Sequence, residues 1–247
     1  GFAVGFTGTA LPKMVMAKTF HPWQLLTLLG LHIGLCVFHL MGYTRVGDAL
    51  FVAMMVMLLA CLGIRLAHGR SVPPPGMVLA GVGLIGGTVG AAWMAIVGLN
   101  GDAILYTFFQ RLLYQAFILL PLLGIGGYIF PMILDTPNKH AKLGGPKMTA
   151  EWKIKAAEGG LVGLLIIITY WVEAHSGSAE LGQSAQAMSW VRLLLCFVWM
   201  TKETGWLTRN KTKGVMAFAL RAGIFCLLGG MIAHALLQKN KIALDHS

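Results

Sequence analysis

Residues 76–97 read GMVLAGVGLIGGTVGAAWMAIV, with no charged side chain and Thr88 as the one hydroxyl. An α-helix rises about 1.5 Å per residue, so a run of this length crosses the roughly 30 Å hydrocarbon layer of a bilayer. A helix that is apolar all round is a buried or membrane-spanning helix, because a surface helix needs a polar face. The spacing Gly81-x-Gly83-x-x-Gly86 matches a dinucleotide-binding fingerprint. That fingerprint needs a strand before it and an acidic partner after it, and this stretch has neither. In a membrane helix the pairs Gly83/Gly87 and Gly86/Gly90, four apart, mark a face where another helix approaches closely.

The rest of the chain repeats this pattern. Of its 247 residues 57% are hydrophobic and 11% charged, with a mean hydropathy of +0.73. A soluble domain needs roughly 25% charged residues to cover its surface. The expected fold class is therefore all-α, a polytopic transmembrane helix bundle with about eight spans in a single domain, 1–247. Apolar runs bounded by charges or Pro/Gly clusters put the spans at about 1–16, 23–43, 46–66, 76–97, 103–134, 153–174, 188–206 and 214–237. The fifth is long, and Pro121 and Pro131 are placed to kink it. The first is short for a span, so the chain is expected to begin inside a helix, either after processing or with an upstream part before Gly1. Nothing in its layout matches a cleavable leader.

Loop charges orient the bundle. The first, third, fifth and seventh loops hold Lys13, Lys18, Arg65, Arg70, Lys139, Lys142, Lys147, Lys153, Lys155, Lys202, Arg209, Lys211 and Lys213, whereas the other three hold only Arg45. This alternation is the positive-inside pattern, so the basic loops are expected in the cytoplasm of a bacterial inner membrane. Lys239 and Lys241 in the tail depart from it. The pattern also accounts for the net charge of +10 without nucleic acid, and the partner it implies is the lipid bilayer. Trp23, Trp152, Trp171, Trp190 and Trp206 fall at span ends, where an aromatic belt sits. The cysteines (Cys36, Cys61, Cys196, Cys226) lie in apolar runs without a CxxC pair and read as small buried residues.

Ionisable groups inside spans carry the functional information, since an unpaired one costs at least ~2.5–3.5 kcal/mol near the bilayer centre. His32 and His39 share a face of the second span about 10 Å apart along the axis, too far for both to ligate one haem. His39, His175 and His234 come from three helices at one membrane level, as a haem or copper site requires. The plainer reading is interfacial histidines bonded to carbonyls. Arg111, beside Gln110, Tyr114 and Gln115, is placed to clamp a haem propionate or other anion, or else to pair with a loop carboxylate. Arg192 and Arg221 are expected to snorkel. The carboxylates Asp48, Asp102, Glu173 and Glu203 read as interfacial, with no midplane pair to relay protons.

Two motifs carry a resemblance. Gly5-Phe6-Thr7-Gly8-Thr9-Ala10-Leu11-Pro12 and Gly126-Gly127-Tyr128-Ile129-Phe130-Pro131 are similar, in order and spacing, to stretches of the NnrS family of bacterial membrane proteins. Tyr128 stands where that family has Arg, and the family's flanking histidine segments lie outside this chain. The resemblance implies haem and copper as cofactors and a role in nitric-oxide or redox stress, and it does not imply an enzyme. The cofactor-binding candidates are then His39, His234, His32 and Arg111, and the metal candidates His39, His234 and His175. The alternative is a cofactor-free accessory subunit of a larger respiratory or photosynthetic complex, docking neighbours through its glycine-rich faces. A solute transporter has the least support, for want of an internal repeat.

Overall fold

The computed structural model describes residues 11–138, 143, 145–176, 182–207 and 214–245. Helices account for nearly all of them, and no strand occurs among the described residues. In chain order they are α1 (Leu11–Met14), α2 (Pro22–Leu40), α3 (Thr44–Ala67), α4 (Met77–Ile96), α5 (Ala103–Arg111), a π-helical turn (Leu112–Ala116), α6 (Phe117–Leu134), α7 (Ala150–His175), α8 (Gly182–Thr204) and α9 (Val215–Asp245). The stretch Ala103–Leu134 acts as one span interrupted by the π turn. Among the described residues six helices are long and apolar enough to cross a membrane, and the chain is a multi-pass membrane protein.

The eight spans expected from the sequence are not all seen among the described residues. Of the expected 1–16, residues 1–10 lie outside the described residues, and α1 is a single turn. The expected 188–206 is a helix, but it starts at Gly182 and is too polar to meet the apolarity of a span. Its buried positions explain how it joins the bundle. Ala185, Ser189, Arg192, Cys196, Trp199 and Glu203 repeat at alternating steps of four and three and are all buried. On α7 the stripe Trp152, Ala156, Gly159, Gly163, Ile166, Tyr170 and Glu173 follows the same rule. Such spacing keeps one seam facing a neighbour along a whole helix. The two helices run antiparallel, with Lys155 Nζ 2.9 Å from Glu203 Oε1 at one end and Glu173 bonded to Arg192 toward the other.

The glycine face of α4 is taken up within the chain. A Cβ at Gly83 would lie 2.5 Å from Pro121 Cδ, one at Gly87 2.6 Å from Phe117 Cβ, and one at Gly90 2.7 Å from the Phe109 carbonyl oxygen. These contacts run backward along α6, the π turn and α5 as they run forward along α4, so the two spans pack antiparallel with backbones nearly touching. Gly163 of α7 does the same against Leu79 and Val82 of α4. The glycine-rich faces expected to dock neighbouring subunits are thus filled by this chain's own helices. Trp152 and Trp206, expected in the aromatic belt, are buried instead, and the Trp152 indole donates to the Pro73 carbonyl at 2.8 Å. Trp23, Trp171 and Trp190 stay exposed.

The main core joins α4, α6, α7 and α8. The outer helices are looser. Helix α2 buries only Leu28 and packs chiefly on α3, and α9 rests on α8 while barely touching α6. That thin contact between α6 and α9 leaves the gap in which the candidate site lies.

Candidate functional site

Four helices deliver polar side chains to one point. Glu173, two residues before the end of α7, is fully buried. Its Oε2 accepts a hydrogen bond from Arg192 Nη1 at 2.7 Å and lies 3.1 Å from Arg111 Nη1, while His234 Nε2 lies 3.3 Å from Oε1. Arg192 also donates to the Thr169 hydroxyl at 3.3 Å and the Ser189 hydroxyl at 3.4 Å, and its guanidinium stacks 4.2 Å from the Tyr170 ring centroid. Thr169, Tyr170 and Glu173 share one face of α7, and Ser189 and Arg192 share one face of α8, so helix geometry alone converges them.

Among the described residues two guanidinium charges face one carboxylate, which leaves a surplus of +1 with His234 neutral. Arg111 is the less satisfied of the two. Its Nη1 is within ion-pair distance of Glu173 but is not aligned to donate to it, and this buried nitrogen has no hydrogen-bond acceptor among the described residues. A charge this far from water is stabilised only by partners, and an uncompensated one costs several kcal/mol. Arg111 owes its place to the π turn that follows it. There the Phe117 amide donates to the Leu112 carbonyl, five residues back, and such turns recur at functional sites.

Beside this cluster lies a cavity of about 410 Å³, within the roughly 300–1,000 Å³ typical of small-molecule sites. Its polar wall is Gln115, Ser189, Arg192 and His234, and Leu119, Leu122, Leu227 and Met231 line the remainder. The wall is therefore apolar with a cationic floor.

The histidines proposed as metal ligands do not converge. His39 Nε2 lies 3.4 Å from Asp48 Oδ1 and its Nδ1 3.2 Å from the Leu35 carbonyl oxygen, so both ring nitrogens are engaged within the α2–α3 hairpin. The ring rests on Gly47, where any side chain would collide with it. His175 is exposed, with Nδ1 3.3 Å from the Trp171 carbonyl oxygen and its ring stacked on Trp171. His32 is half-buried on α2. Of the cofactor and metal candidates named from sequence, only Arg111 and His234 come together, both on Glu173. No group of three or more His, Cys, Asp or Glu side chains is placed to hold a metal ion among the described residues.

Arg192 does not snorkel, and both it and Glu173 are buried within the bundle, where each supplies the other's charge. A second cluster (Lys155, Glu158, Lys202, Glu203) ties the opposite ends of α7 and α8 with equal positive and negative charge. It is a balanced clasp, in contrast to the charged floor of the cavity. No family model, curated protein or solved structure matches this chain.

Proposed function

We propose that this protein is a membrane-embedded receptor for an anionic ligand, held in the cavity between α6, α8 and α9. The observation that carries the reading is the charge surplus. Arg111 and Arg192 converge on the single carboxylate of Glu173, with a donor of Arg111 left over, beside a cavity of ligand size. Paired guanidinium groups in low dielectric favour a carboxylate or phosphate strongly, and their planar forks orient it. Arg192 and His234 touch the ligand, while Arg111 acts from behind through the shared field. The positive-inside pattern of the basic loops supports a position for this cavity in the leaflet facing away from the cytoplasm of a bacterial inner membrane.

The test is a thermal melt of the detergent-solubilised protein in hexanoate and in hexylamine. Hexanoate is expected to raise Tm, since a ligand at 100 times its Kd adds about 2.7 kcal/mol. Equal shifts with the two compounds would defeat the reading.

Haem is a second reading, favoured by Arg192 and His234 sharing one cavity wall. Arg192 would hold a propionate, with Arg111 adding its charge from behind, and His234 would hold the iron, which would supply redox or diatomic-gas chemistry when bound. The supposed role in nitric-oxide or redox stress rests on the NnrS resemblance and on this group. A Soret band that disappears in His234→Ala supports it, and a colourless protein leaves the anion reading alone. For copper, no group of three or more His, Cys, Asp or Glu side chains comes together among the described residues.

A further inference from the structure

We infer that the ligand is a single-chain amphiphile drawn sideways from the lipid, its carboxylate or phosphate on Arg192 and its tail passing out between α6 and α9. This rests on the anion-binding reading above and adds the source of the ligand and its route.

Exposure around the cavity sets the route. Tyr114 and Ile118 on one lip are 52% and 63% exposed, and Cys226 and Gly230 on the other are exposed as well. All four line the cavity and belong to segments that cross the hydrocarbon layer. What reaches this opening is therefore lipid. The lip residues Cys226 and Gly230 and the floor residue His234 lie at four-residue steps on α9, so the slot runs about 12 Å along the helix axis.

The lining sets the chemistry. A small hydrated anion would gain nothing from Leu119, Leu122, Leu227 and Met231, and an uncharged lipid tail would gain nothing from Arg192. A molecule with one anionic head and one apolar tail uses both. Gly230 keeps the slot open, since a Cβ built there meets no atom within 4 Å. This is unlike Gly83, Gly87 and Gly90 of α4, whose missing side chains are replaced by a neighbouring helix.

The experiment measures binding of radiolabelled oleate to the protein in nanodiscs made with zwitterionic lipid, with dodecyl phosphate, oleyl alcohol and acetate as competitors. Saturable oleate binding at one site per chain is expected, displaced by dodecyl phosphate. Oleyl alcohol is expected to compete at least tenfold more weakly, and acetate not at all. Gly230→Leu is expected to weaken oleate binding at least tenfold with an unchanged melting temperature, because the new side chain enters open space. Arg192→Gln should weaken it similarly if the protein folds, and the glycine variant decides the matter if it does not. Acetate or hexanoate competing as well as oleate would overturn the lipid source while leaving an anion site. Oleyl alcohol competing equally would overturn both readings. Oleate binding untouched by Gly230→Leu would show partition into the bilayer and overturn the inference.

Discussion

Glu173 is the single carboxylate that Arg111, Arg192 and His234 share, so its loss leaves two buried cations facing each other. Glu173→Gln is expected to destabilise the protein by about 3–5 kcal/mol, seen as a large fall in melting temperature in mild detergent. The double change Glu173→Gln with Arg111→Met should recover part of that loss by removing the uncompensated charge. Asp48 depends on a partner in the same way, and His39→Ala is expected to cost about 1–3 kcal/mol by stranding its buried carboxylate, again read as a lowered melting temperature. These partnerships were only half legible in sequence. Arg111 and His234 stood out as polar groups in apolar runs, whereas Glu173 sat near a span end and passed for interfacial. A signal was nonetheless present. Glu173 continues the stripe of Gly159, Gly163, Ile166 and Tyr170 at coiled-coil spacing, which places it on the packed face of α7.

At the scale of the helix, apolar length and end charges located most spans to within a few residues, because both follow from bilayer thickness. They missed the start of α8 for a physical reason. Gln183, Ser184 and Gln186 look like loop residues, yet they open a helix whose Ser184 hydroxyl bonds the Ser176 hydroxyl at 2.7 Å. The π turn was also invisible, since Pro121 drew attention to a kink five residues past its end. The glycine pattern of α4 was read correctly as a close approach, but pairing it with its partner needs the fold. Two substitutions separate contact glycines from idle ones. Gly87→Leu must push into Phe117 and is expected to cost at least about 1–3 kcal/mol in unfolding free energy. Gly81→Ala, with open space around it, should be neutral or stabilise by up to about 1 kcal/mol in the same measurement.

Across the whole molecule, the charged residues sort into a balanced clasp at one end of α7 and α8 and a cationic centre toward the other. The proposed orientation puts the basic loops, and with them the clasp end, in the cytoplasm. With Cys36 and Cys226 replaced by Ser, Met148→Cys is expected to react with an impermeant thiol reagent only from the cytoplasmic side, and Asn100→Cys only from the opposite side. The reverse labelling would invert the proposed orientation, and with it the leaflet that supplies the ligand.

The buried arginine of α8 also bears on how the protein is made. A helix carrying Arg192 ten residues from its start costs about 2.5–3.5 kcal/mol more to insert than an apolar one, and α8 lacks the hydropathy to absorb this alone. Its counter-charge leaves the ribosome first, on α7. The two helices must then leave the translocon together, as a hairpin already neutralised at Glu173, and the balanced charges at its other end close it. Glu173→Leu should accordingly produce chains in which α8 never enters the bilayer, with a Gly214→Cys reporter exposed on the wrong side. That result would make a residue of the proposed binding site a determinant of the order in which the membrane accepts the helices.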